Sequence, residues 1–217
     1  MNWHFLTFFG DSMLLLPSAA IVFIILMLSP ASRKPTWQWI LLFGGVGAVV
    51  CLSKLAFMGW GIGSREFDFT GFSGHSALSA SIWPVMLWLL AGRFSTNVRR
   101  VAVACGYLLA LAVGYSRLAI NVHSTSEVVT GLALGCTVSA AFLLLQRNTP
   151  PPRLSYRKIA AALVLPLFLI NTGTAAPTQG LLERIAVTIA PVKKPFTRAD
   201  LHAKPLAVPA PVKVAQD

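Results

Sequence analysis

The stretch YSRLAINVHSTSE (115–127) separates two long apolar runs and brings Arg117, His123 and Glu127 close together where the hydrophobicity breaks. Charge is scarce elsewhere: 55% of the 217 residues are hydrophobic and 12% charged, with a mean hydropathy of +0.69. A soluble domain of this length has too little interior to hide so much apolar surface. The chain therefore reads as a membrane protein, and 115–127 as a connection between two spans.

Crossing the hydrocarbon takes about 20 mostly apolar residues at about 1.5 Å each. Working outward from 115–127, six segments qualify: 12–28, 37–58, 76–91, 101–115, 128–145 and 159–171. The fourth and sixth are short, so five spans is the alternative. The expected fold is an all-α, polytopic bundle of about six transmembrane helices occupying 1–171. The aromatic run NWHFLTFF (2–9) is too brief to cross and suits an interface. With no Lys or Arg in residues 1–11, the first span does not read as a secretory leader. Beyond 171 the chain turns rich in Pro, Ala and Lys, which reads as an extended, poorly ordered tail (172–217), with a short amphipathic helix at GLLERIAVTIA as its one ordered option.

The net charge of +11 does not indicate nucleic acid, because the basic residues follow the connections rather than forming a stripe. Nine of the 18 Lys and Arg lie in three connections: Arg33 and Lys34; Arg93, Arg99 and Arg100; and Arg147, Arg153, Arg157 and Lys158. These connections contain no Asp or Glu and alternate with the others, so the positive-inside rule places them in the cytoplasm. Loops 59–75 and 116–127 then share the outer side, and with them Arg65, His75, Arg117, His123 and Glu127. The three cysteines, Cys51, Cys105 and Cys136, fall within spans and lack disulfide or metal spacing.

In both outer loops a histidine stands at a helix start. Ser124 and Glu127 match the S-x-x-E capping box, and Glu127 lies one turn from His123. In TGFSGHS (70–76), Ser73 and Ser76 are suitable caps, so His75 lies near a helix N-terminus whose unpaired N–H groups attract a phosphate oxygen. Each residue taken singly also has a plainer role. Either histidine can be an interfacial polar residue, Glu127 a helix cap, and Arg117 a snorkelling cation. Lys54, inside the second span, is costly there unless it snorkels, pairs or faces water.

Taken together, Lys54, then FSGH (72–75), then SRLAINVHSTSE (116–127) resemble the type 2 phosphatidic acid phosphatase family, integral-membrane lipid phosphate phosphatases related to vanadium haloperoxidases. The family signature is K-x6-R-P, P-S-G-H and S-R-x5-H-x3-D. Ser116, Arg117 and His123 fit the third block, with Glu127 where Asp is usual. Ser73, Gly74 and His75 fit the second, with Phe72 in place of Pro. Lys54 begins the first, but Gly61 and Ile62 stand where Arg and Pro belong, and Arg65 is the nearby substitute. The resemblance covers about 50–140.

The resemblance implies that His123 attacks phosphorus to form a phosphohistidine, with Glu127 fixing its tautomer. It likewise implies that His75 protonates the leaving group, and that Lys54, Ser73, Gly74 and Arg117, with Arg65 as substitute, hold the phosphate oxygens. The scheme calls for no metal or cofactor. The implied partner is a membrane lipid phosphate or pyrophosphate, such as undecaprenyl pyrophosphate, phosphatidylglycerol phosphate, phosphatidic acid or a lipid A phosphate, met in a bacterial-type inner membrane at its periplasmic face. Two alternatives stand beside hydrolysis: a phosphotransferase using the same site, and a non-catalytic lipid-binding protein with an eroded one.

Overall fold

The structure, a computed structural model, describes residues 3–27, 33–149, 151, 153–169 and 178–203. These residues form helices joined by turns, with one isolated antiparallel bridge between Ser64 and Phe69. In chain order the helices are α1 (Trp3–Phe8), α2 (Ser12–Met27), α3 (Arg33–Trp60), α4 (Gly74–Leu90), a short 3-10 turn (Ala91–Arg93), α5 (Thr96–Ala119), α6 (Thr125–Leu145), α7 (Tyr156–Leu169), α8 (Thr178–Ile189) and α9 (Arg198–His202).

Among the described residues, five helical stretches are long and apolar enough to cross a membrane: Trp3–Ile21, Arg33–Trp60, Gly74–Arg93, Thr96–Ala119 and Thr125–Leu145. The first takes in α1, the turn at 9–11 and much of α2. The chain is a multi-pass helical membrane protein. The sixth expected span falls on α7, whose 14 described residues are short of the roughly 20 required. Its remaining residues, 170–171, lie outside the described ones. The fourth span runs well past the expected 101–115, because polar Thr96–Arg100 and Ser116–Ala119 continue the same helix.

α4 is the hub. Within the bundle 67% of its span is buried, against 28% for those of α5 and α6, which pack along it. Ile82, Val85 and Leu89 of α4 meet Leu15 of α2, Trp39 and Phe43 of α3 and Phe142 of α6 in one core. The outer helices turn large apolar side chains away from that core, including Leu41, Leu52, Leu108 and Leu144, as suits hydrocarbon rather than water. At the basic end, Gln146 donates to Gln38 (2.7 Å) and the Arg93 guanidinium lies 4.9 Å from the centre of the Tyr156 ring.

Two glycines set how closely the helices approach. A Cβ on Gly106 of α5 would lie 2.6 Å from Pro84 Cα and 2.7 Å from Pro84 N, backbone that cannot yield. One on Gly131 of α6 would lie 2.8 Å from the Ser73 carbonyl oxygen. The second contact draws the FSGH loop against the start of α6.

Within 172–217, α8 falls where GLLERIAVTIA offered a short helix, and α9 follows it. The physical reason is the apolar side of GLLERIAVTI, which seats α8 on α3: Ala186 is buried, and Ala190 comes so near Gly59 that an added Cβ would be 2.9 Å away. The Phe196 N–H then donates to the Met58 carbonyl (2.8 Å) at the end of α3. Residues 172–177 and 204–217 of that stretch lie outside the described ones.

Gly106→Leu should cost about 1–3 kcal/mol by overpacking, lowering the thermal midpoint in detergent by on the order of 2–8 °C. Gly44→Ala on α3, where an added Cβ has nothing within 4 Å, should leave the midpoint unchanged or raised. Equal midpoints for Gly106→Leu and wild type would contradict the α4–α5 contact.

Candidate active site

A cavity of about 750 Å³ opens where α3 ends, α4 starts, α5 ends and α6 starts. Its polar wall is built from Lys54 of α3, Gly74 and His75 from the first turn of α4, Arg117 from the last turn of α5, and His123 from the loop before α6. Three separated sequence blocks thus meet at one end of the bundle. Lys54 lines this cavity, which answers how a lysine is accommodated inside an apolar helix.

His123 and Glu127 are joined by a 2.7 Å hydrogen bond between Nδ1 and Oε2. The expected capping box forms as well: the Ser124 hydroxyl accepts from the Glu127 N–H (3.3 Å), and Glu127 Oε2 accepts from the Ser124 N–H (3.2 Å). Glu127 is therefore a helix cap and a histidine partner at once. Its other oxygen accepts from the Thr70 N–H (2.8 Å) and hydroxyl (2.5 Å), and its side chain is 0% exposed. A carboxylate so supplied with donors stays ionised and can only accept from Nδ1, which leaves the lone pair of neutral His123 on Nε2. His123 is 14% exposed, and burial lowers its pKa from the ordinary imidazole value against the opposing pull of the Glu127 hydrogen bond.

Arg117 donates to the Thr7 hydroxyl (2.7 Å), which ties α1 to the site, while its Nε is buried with no hydrogen-bond partner among the described residues. Lys54 Nζ makes one long contact, 3.5 Å to Gln179 Oε1 of α8. These groups, with the first-turn N–H groups of α4, form a cationic recess of the kind that receives a phosphate. The cavity lining also includes apolar Leu16 of α2, Gly47 and Val50 of α3 and Leu78 of α4.

Two expected phosphate contacts lie elsewhere. Ser73 is fully buried behind the cavity wall, its N–H given to the Glu127 carbonyl (3.1 Å) and its hydroxyl paired with Ser76 (2.9 Å). It occupies the N-cap position of α4 without a side-chain capping bond. Arg65 does not reach the cavity, because it donates to the carbonyls of His202 and Ala203 (2.7 Å each). Sequence reasoning missed Arg198, which lines the cavity and donates to Glu127 Oε2 at 2.7 Å. The available signal was the T-x-x-D capping box at Thr197 and Asp200, inside a stretch read by composition alone. Among the described residues no group of three or more His, Cys, Asp or Glu could hold a metal ion.

Residues 60–150 match a family model described as the PAP2 superfamily, a range that holds the FSGH and SRLAINVHSTSE blocks and leaves Lys54 just outside it. An uncharacterized 22.5 kDa protein in cps region from Klebsiella pneumoniae is 58% identical over 205 residues, covering 93% of this chain and 98% of the relative. No solved structure gives a significant match. With two motif blocks facing one cavity in a bundle of membrane-spanning helices, and a relative similar along nearly its whole length, the chain belongs to the PAP2 superfamily.

Proposed function

We propose that this protein is a membrane lipid phosphate phosphatase working through a phosphohistidine on His123, at the periplasmic side of a bacterial inner membrane. The observation that carries the reading is the 2.7 Å bond from His123 Nδ1 to buried Glu127, in a cavity that also holds His75, Lys54 and Arg117. His123 Nε2 attacks phosphorus as the bond to the lipid oxygen breaks, and His75 gives the departing alkoxide its proton. Glu127 stabilises the imidazolium that forms. Arg117, Lys54 and the Gly74 N–H hold the non-bridging oxygens as charge builds. Water then cleaves the P–N bond, releasing inorganic phosphate and restoring His123.

A lipid is favoured over a soluble phosphate by the apolar part of the cavity lining, to which Leu16, Gly47, Val50 and Leu78 contribute beside the cationic residues. Such a lining accepts a hydrocarbon chain whose headgroup lies among the cations. The outward orientation is supported by the basic connections at the opposite end of the bundle.

The purified protein, tested on lipid phosphates and pyrophosphates, should release inorganic phosphate, and His123→Ala should lower the rate by on the order of 10³-fold or more. Equal rates for the two would sink the enzymatic reading, and label moving to a second lipid instead of water would make the protein a transferase. Attack requires neutral His123, so protonation is inhibitory. Because burial lowers its pKa, the rate should hold as pH falls to the ordinary imidazole value and be lost only below it. For orientation, a cysteine replacing exposed Phe67 in loop 61–73 should react with an impermeant maleimide added outside intact cells. Reaction only after the inner membrane is opened would reverse the topology.

A further inference from the structure

Arg198 is the cavity's remaining cation, and it arrives from a part of the chain remote from all three motif blocks. It is the first residue of α9, fixed locally by the box in which the Thr197 hydroxyl and N–H donate to Asp200 Oδ2 (2.6 and 2.8 Å). Its guanidinium forks. Nη2 donates to Glu127 Oε2 (2.7 Å), while Nη1 donates to the Asp68 carbonyl (3.0 Å) and forms a close ion pair with the Asp68 carboxylate.

The surrounding contacts fasten this arrangement. His202 Nε2 meets Asp68 Oδ1 (2.6 Å), and Arg65 grips the backbone carbonyls at 202 and 203. On the other flank, the Phe196 ring lies 3.6 Å from where a Cβ on Gly61 would stand. The C-terminal segment is thereby latched to the loop after α3, and the latch delivers one guanidinium to one carboxylate oxygen.

That oxygen is the one bonded to His123 Nδ1. We propose that Arg198 is a positioning residue of the site: supplied by the C-terminal segment, it holds the Glu127 oxygen that orients His123, so the catalytic pair is complete only when this segment is docked. The inference rests on the phosphatase reading for its consequence in turnover, but the placement of Arg198 can be tested without turnover. With Arg198 present, Oε2 shares its charge between two cationic partners whenever the imidazole is protonated. Without it, the carboxylate is free to favour the imidazolium more strongly. The other titratable groups facing His123 are Lys54 of α3, His75 of α4, Arg117 of α5 and Glu127 of α6, and Arg198 variants leave all four in place.

The test is an NMR titration of His123 in the purified full-length chain in detergent, with His123→Ala to assign the signal. Arg198→Gln should raise the midpoint by about one pH unit, and Arg198→Lys, which keeps the charge but loses the planar fork, by less. In the same preparations, kcat on the best lipid phosphate should fall by on the order of tenfold in Arg198→Gln while KM changes little, as expected when orientation rather than binding is lost. Should Arg198→Gln fail to fold, Arg198→Lys gives the same reading, since it too should raise the midpoint above that of wild type. An unchanged His123 midpoint overturns the proposal. Absence of phosphate release from wild type would end the phosphatase reading instead, and the titration would still decide what Arg198 does.

Discussion

A buried carboxylate carries the arrangement of the cavity end of this molecule. Glu127 is fully shielded from solvent, and an ionised group so placed costs several kcal/mol unless donors replace its water. Five do: the His123 ring, the Ser124 N–H, the N–H and hydroxyl of Thr70, and the Arg198 guanidinium. They come from the loop before α6, the loop after α3 and the C-terminal segment. Satisfying this one group therefore locks together three stretches that the chain order keeps apart, and removing a donor leaves the buried carboxylate less fully compensated.

The membrane fold provides the frame on which that lock is set. α4 runs enclosed by its neighbours, with Gly106 and Gly131 admitting α5 and the FSGH loop to close range. His75 and Arg117 are thus held at the ends of packed helices rather than on free loops, while Lys54 projects from α3. Rigid placement matters for phosphoryl transfer, where catalysis is mostly orientation and charge stabilisation. The same cavity is lined both by these polar groups and by apolar Leu16, Val50 and Leu78.

What could be read from the sequence was what is encoded locally. Apolar runs announced the spans, and the S-x-x-E box foretold both the start of α6 and the His123–Glu127 pair, because those residues sit one turn apart. The extent of the spans was less legible: polar residues extend α5 at both ends, and α7 shows only 14 described residues. Ser73 was placed on the phosphate because its motif position implies it, whereas packing against Gly131 turns it inward to serve Glu127 and Ser76. Arg65 and Arg198 were the hardest to foresee. Arg65 lies nearer the motif but is spent on backbone carbonyls, while Arg198 is 71 residues from the carboxylate it meets. Composition marked its surroundings as a tail, and no local period records a contact made across the whole chain.

In the proposed reaction His123 forms a bond to phosphorus. Incubating the protein with a lipid phosphate labelled in its phosphoryl group, quenching in alkali and mapping the modified peptide by mass spectrometry tests this most directly. Phosphate should be found on His123, lost on mild acid treatment and missing from His123→Ala. Steady release of inorganic phosphate with His123 never modified, or label on a different residue, would contradict it.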